Sequence, residues 1–176
     1  MINIIIGYVG DMGSGKTLSM VKMAYSLYLK GYTIFSNFKL NFPFQYFSLD
    51  EILSYAENDT NFINTVFLVD EAHIFMDSRA SMSKRNLILS YFILQTRKKN
   101  VWLFFTTQYY HQIDKRLRAS SNAIVECSSK VLENGSMYVL NVFNIMKSNK
   151  IVTKNFAFYG NKYFNLYNTN EIIRPI

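Results

Sequence analysis

The sequence has one cysteine, Cys127, among 176 residues. An intrachain disulfide and a cysteine zinc site are both excluded, which fits a reducing compartment. The two histidines, His73 and His111, lack the spacing of metal ligands. His73 therefore reads as a packing or supporting residue, although it lies beside an acidic pair. With two prolines and seven glycines there is no Pro/Gly-rich linker, and no repeat or low-complexity tract is present. The length and this evenness point to a single domain over residues 1–176. No apolar run is long enough to cross a bilayer, and the N-terminus lacks a basic leader with a small-residue cleavage site. A soluble protein is expected.

Acidic residues are the scarcer charge, 12 against 19 basic, which leaves a formal charge of +7. That balance suits a polyanionic partner, because Lys and Arg that neutralise phosphates release counterions. A solvated basic surface would look the same. The 49% apolar content is that of a globular chain. Fifteen Phe and thirteen Tyr are unusually many. Packing, together with an A/T-rich codon bias, accounts for most of them, and a few exposed rings could stack on bases.

Three of the glycines fall in one stretch, Gly10-Asp11-Met12-Gly13-Ser14-Gly15-Lys16-Thr17. It follows an apolar run from Ile2 to Val9 and precedes a helical pattern from Lys16 to Lys30 that Gly31 would stop. This is a G-x-x-x-x-G-K-[ST] phosphate loop (Walker A) in its strand–loop–helix context. Glycines let successive N–H groups turn inward to phosphate oxygens, and the helix N-terminus adds positive potential. Lys16 would reach the β- and γ-phosphates and the Thr17 hydroxyl would ligate Mg²⁺. The whole stretch from Gly10 to Thr17, with Ser19, is the candidate nucleotide-binding set.

Further along, Thr33 to Ser36 reads as a short strand, Asn37 to Phe47 as an irregular excursion, and Ser48-Leu49-Asp50-Glu51 as a capping box opening a helix towards Asn58. The strand Thr65 to Val69 ends in Asp70-Glu71, a Walker B pattern. An acid at the carboxyl end of such a strand lies beside the phosphate loop. Asp70 is thus a candidate Mg²⁺ partner, and Glu71 the candidate general base for an attacking water. A long helix is expected over Ser83 to Lys99, then the strand Asn100 to Thr106. Gln108, just beyond it, could contact both the γ-phosphate and the water. Ala123 to Cys127 reads as the last parallel strand. Asn134-Gly135 predicts a two-residue hairpin turn, and Ile151 to Phe158 another strand. The expected fold is α/β: a mostly parallel sheet of about five strands with helices on both faces over residues 1–129, and a β-rich C-terminal extension over 130–176.

These parts resemble the additional-strand, catalytic-glutamate class of P-loop ATPases, and within it the FtsK–HerA superfamily of DNA-pumping motors. The resemblance rests on the phosphate loop, Asp70-Glu71-Ala72, Gln95-Thr96-Arg97-Lys98-Lys99-Asn100, the strand from Val101 to Gln108, and Ile113 to Arg118. Zonula occludens toxin-like ATPases of filamentous phages share the Asp-Glu-Ala, Arg-Lys and Thr-Gln pattern, as do small viral genome-packaging ATPases. The tail from Tyr163 to Glu171 is similar to a closing segment of these families, with Asn168 where Asp is usual. The resemblance implies hydrolysis of ATP with Mg²⁺ by a homo-oligomeric ring, usually a hexamer, moving nucleic acid, most often double-stranded DNA. It also implies an arginine reaching the neighbour's γ-phosphate, with Arg97, Arg116 and Arg118 as candidates and Arg97 or Arg116 preferred. Lys98, Lys99 and Lys115 would face phosphates or solvent. Viral DNA packaging, in the host-cell cytoplasm or in association with the virion, is the first expectation, with a capsid protein as a possible partner. The toxin-like relatives continue into a membrane span, so an assembly or extrusion role would need a separate membrane partner. A small-molecule kinase fits less well, because Glu71 and Gln108 suit water as the acceptor.

Overall fold

The computed structural model describes residues 4–48, 51, 62–74, 101–147 and 150–168. Its strands are β1 (Ile4–Val9), β2 (Thr33–Ser36), β3 (Gln45–Tyr46), β4 (Thr65–Val69), β5 (Val101–Thr107), β6 (Ala123–Val131), β7 (Met137–Lys147) and β8 (Lys150–Tyr159). They form one sheet in the order β3-β2-β4-β5-β1-β6-β7-β8. Every pairing from β3 to β6 is parallel, while β6–β7 and β7–β8 are antiparallel.

The continuous apolar runs are explained by burial on both faces. Ile6, Tyr8, Ile34, Val66, Leu68, Phe104 and Val125 point to one face and pack with Met20, Val21 and Ala24 of helix α1 (Lys16–Tyr28). Their neighbours Ile5, Phe35, Phe67, Val69, Leu103 and Phe105 point to the other. There they meet Ile113 and Leu117, the latter on a short helix α2 (Lys115–Ser120). Helices thus cover both faces, as expected. Gly31 ends α1 with φ +86°: its N–H donates to the Tyr28 carbonyl and that of Tyr32 to the Leu27 carbonyl.

The β-rich extension expected over residues 130–176 is built onto the core sheet: β6 pairs with β1 along its first half and with β7 along its whole length, so β7 and β8 continue the same sheet. One expectation needs correction. The hairpin after β6 has a three-residue loop. Leu132 N–H donates to Ser136 O, Gly135 N–H donates to Leu132 O, and only Gly135 has positive φ (+75°). A two-residue type I′ turn would need positive φ at Asn134 as well. The segment Ile113 to Arg118 leads into α2, whose N-cap Asp114 accepts from Arg116 N–H.

The excursion after β2 is irregular but far from loose. It contributes the short edge strand β3 and buries Phe38, Leu40, Phe42 and Phe47. The capping box is present: Ser48 N–H donates to Glu51 Oε2 and Glu51 N–H to Ser48 Oγ. The helices expected towards Asn58 and over Ser83 to Lys99 lie outside the described residues. Among the described residues, no helix is long and apolar enough to cross a membrane.

Candidate active site

The parallel strands end together at one edge of the sheet, and the phosphate loop leaves that edge after β1. Gly10, Gly13 and Gly15 adopt φ of +144°, +74° and +87°. Gly10 has no alternative: a Cβ there would lie 2.5 Å from the Cys127 carbonyl and 2.8 Å from Ser14 Oγ. The loop is held by Ser14 N–H donating to Asp11 O and by Ser129 Oγ donating to Gly13 O (2.8 Å). Gly15 sits at the N-cap of α1, so no side chain caps that helix and its first turn carries no acid. Its first amides are left for an anion. Lys16 is only 7% exposed and its Nζ donates to the Asp11 carbonyl at 2.8 Å. Among the described residues no carboxylate pairs with it. A buried ammonium held by a carbonyl and not by a directly paired carboxylate favours an incoming anion.

Asp70, at the end of β4, lies beside this loop. Its Oδ1 accepts from Thr17 Oγ1 (2.9 Å) and from Thr106 Oγ1. Its backbone is clamped by Asn37, whose Oδ1 accepts from Asp70 N–H and whose Nδ2 donates to Asp70 O. Burial pushes the Asp70 carboxyl up to about 6, against the opposing pull of the Thr106 and Thr17 hydroxyls and of Lys16. Glu71 adds repulsion in the same direction as burial. The Thr17 and Asp70 oxygens fit a Mg²⁺ ion that takes its remaining ligands from phosphate and water.

Glu71 has φ +52°, a left-handed conformation uncommon for a residue with a side chain. Its N–H donates to Thr106 Oγ1 at 2.9 Å, so one hydroxyl serves both acids. Glu71 Oε2 lies 3.3 Å from His73 Nδ1, yet neither atom makes a hydrogen bond. His73 belongs to a short 3₁₀ turn, Ala72–Ile74. Among the described residues no cluster of three His, Cys, Asp or Glu could hold a metal.

Glu71 and Gln108 line the same cleft of about 290 Å³ as Gly13, Gly15, Lys16 and Thr17. A larger cleft of about 480 Å³ lies behind the loop, against Glu126 to Ser129 of β6. Neither Lys16, Thr17 nor Glu71 lines it. Of the other candidates, Asp11 and Met12 are exposed in the loop. Ser19 is turned away: its hydroxyl donates to Asn141 Oδ1 of β7 at 3.0 Å, and both residues are buried. Arg116 is exposed on α2 and Arg118 half-buried there, and neither lines the 290 Å³ cleft. Arg97, Lys98, Lys99, Asp77, Ser78 and Arg79 lie outside the described residues. Cys127 is buried beside the loop, and burial pushes its thiol up to about 12, far from thiolate chemistry.

Sequence reasoning did not assign Asn37, Thr106, Ser129 or Asn141. The first two carried a usable signal, a polar residue at the carboxyl end of an apolar parallel strand. Ser129 and Asn141 carried none, because their partners lie more than a hundred residues away in sequence.

Among solved structures, the chain is similar to the N-terminal domain of zonular occludens toxin from Neisseria meningitidis. The TM-score is 0.69 at 21% identity, covering 96% of this chain and 100% of that one. The genome-packaging NTPase B204 of Sulfolobus turreted icosahedral virus 2, in complex with ATP-gammaS, aligns with a TM-score of 0.60 at 14% identity. That match covers 86% of this chain and 96% of B204. The flagellar accessory protein FlaH of Methanocaldococcus jannaschii gives 0.53 at 12% identity, over 86% and 89% of the two chains. These likenesses agree with the P-loop NTPase fold. A search of curated proteins finds no significant match. The model of the zonular occludens toxin (Zot) family matches residues 45–170, from β3 through the tail that follows β8. By that match, which spans most of the sequence, the chain belongs to the zonular occludens toxin family.

Proposed function

We propose that this protein is an ATPase of the viral packaging or assembly type, whose turnover drives the movement of nucleic acid. The observation that carries the reading is the shared cleft: Glu71 and Gln108 face the same space as Lys16 and Thr17. A phosphate loop alone needs only to bind. A carboxylate and an amide beside it supply what hydrolysis requires, a base for water and a contact that responds to the γ-phosphate. On binding, Lys16 exchanges the Asp11 carbonyl for phosphate oxygens, and the uncapped first turn of α1 cradles the chain of phosphates. Glu71, whose backbone Thr106 holds, orients the water and accepts its proton. Bound Mg²⁺ would neutralise charge on the phosphate oxygens, with Thr17 and Asp70 as its protein contacts.

Nucleic acid as the cargo is supported by the charge of +7 and by the packaging role of B204. A ring, with six subunits as the working expectation, is supported by the cation count in the cleft. Among the described residues only Lys16 supplies one. Transition-state charge then calls for an arginine from elsewhere, Arg97 or Arg116 in a neighbouring subunit. The family match favours a second reading, an assembly or extrusion ATPase acting with a membrane partner.

Glu71→Gln tests the core of the proposal. Nucleotide affinity is expected to stay within a few fold while phosphate release falls by about 10²–10⁴, the usual worth of a general base. Normal turnover in this variant would remove Glu71 from the chemistry. Stimulation of the wild-type rate by DNA, together with ATP-dependent rings in light scattering, supports translocation. A monomer indifferent to DNA argues against it. Recovery of the protein with only an inner-membrane partner would favour extrusion.

A further inference from the structure

The cleft does not end at the phosphate residues. It continues past Leu18 to Met137, Phe164 and Tyr167. Phe164 lies on a 3₁₀ segment, Gly160–Leu166, that leaves β8 and packs against α1. This segment is pinned at both ends. At its start Gly160 is so close to α1 that a Cβ would meet Leu18 Cδ2 at 2.8 Å, and Asn161 Oδ1 accepts from Met137 N–H at 2.7 Å. At its far end Asn41 N–H donates to Leu166 O and Asn41 Nδ2 to Asn165 O. Tyr167 then bridges to Leu40 and sets its ring edge-on to Phe38.

Between these anchors Phe164 remains 40% exposed. The ring therefore stands at the rim of the cleft that holds Lys16 and Thr17, on a backbone with little freedom to retract it. The larger cleft behind the loop offers no counterpart, since no aromatic lines it and Glu126 would repel a polyphosphate. We propose that Phe164, flanked by Met137, is the stacking platform for the base of the bound nucleoside triphosphate. The phosphates then lie towards Lys16 and Gln108, and Tyr167 bounds the cleft. Stacking recognises a π-face and not a hydrogen-bond pattern, so the platform takes purines generally and favours them over pyrimidines.

The proposal deepens the nucleotide reading of the same cleft and rests on it. The test compares two probes on the full chain with Mg²⁺: the non-hydrolysable analogue AMP-PNP, and inorganic tripolyphosphate, which has no base. Calorimetric dissociation constants would be measured for wild type, Phe164→Ala and Phe164→Trp. Phe164→Ala is expected to weaken AMP-PNP by roughly 5- to 150-fold, the range for losing one base–aromatic stack. Tripolyphosphate affinity should stay within about twofold, and Phe164→Trp should restore AMP-PNP binding. Unchanged AMP-PNP affinity in Phe164→Ala, or equal losses for both probes, would overturn the platform. Wild-type protein that bound neither probe would instead overturn the nucleotide site beneath it.

Discussion

The most discriminating perturbation is Asp70→Asn read as a stability change that depends on pH. Asp70 is 8% exposed and titrates at about 6 in the fold against 3.8 when unperturbed, chiefly because burial opposes its charge. Holding that charge above pH 7 costs about 3 kcal/mol of folding free energy. Because the folded value lies above the unfolded one, the contribution favours the fold fully below about pH 4. It is lost as pH rises through about 6. Asn keeps an oxygen to accept from Thr17 and Thr106 but sets an NH₂ where Oδ2 stood, at a cost of about 1 kcal/mol. Asp70→Asn should therefore stabilise the nucleotide-free protein at pH 8 by about 2 kcal/mol, or about 4–8 °C in melting temperature. At pH 5 the charge penalty on the wild type falls to roughly half, and the two melting curves should converge. Mg²⁺ with AMP-PNP should raise the melting temperature of the wild type much more than that of the variant, since the proposed metal contact is this carboxylate. Scanning calorimetry at both pH values decides the matter. A variant that melts below wild type at pH 8, or a difference that ignores pH, would refute the account of Asp70 as a charge held at a cost.

Two further substitutions probe the supports of the site. Thr106→Val keeps the shape of the side chain but removes the donor to Asp70 and the acceptor for Glu71 N–H. The orphaned amide should cost about 1–3 kcal/mol. Turnover should fall more than nucleotide affinity, because Glu71 loses the bond that holds its left-handed backbone; a kcat equal to wild type would contradict this. Gly7→Ala places a Cβ 2.5 Å from Phe105 Cζ and 3.1 Å from Ile124 Cδ1, within the sheet's core. Overpacking of that kind costs about 1–3 kcal/mol. The expected result is a lower melting temperature with an unchanged KM for ATP, and an undisturbed melt would show that Phe105 relaxes freely.

The phosphate loop was legible in sequence because its chemistry is local. Three glycines, a lysine and a threonine within eight residues encode a backbone path, a charge and a hydroxyl, and no distant partner is needed to recognise them. The parallel strands were legible for a related reason. Burial on both faces leaves an uninterrupted apolar run such as Thr65–Val69, all of which is buried. Asp70 and Glu71 then followed from the rule that strand ends gather at one edge.

Other features depend on where the chain returns to. Asn37 and Thr106 look like ordinary strand-end residues until β2, β4 and β5 align and set them on Asp70 and Glu71. The β6–β7 hairpin carried a strong turn signal, but its loop length was settled by pairing across the hairpin, with Leu132 opposite Ser136. Ser19 has the spacing of a nucleotide contact, yet a buried partner on β7 claims its hydroxyl. By itself, then, the sequence picked out the phosphate loop, the strand-end acids and Gln108 as candidates for a nucleoside triphosphate site, because those signals lie within single strands and turns. Only the tertiary structure decided that the last strands complete the same sheet and that the tail crosses α1 to bring Phe164 and Tyr167 to the cleft. Hydrogen bonds and packing between residues more than a hundred positions apart leave no periodicity in a sequence.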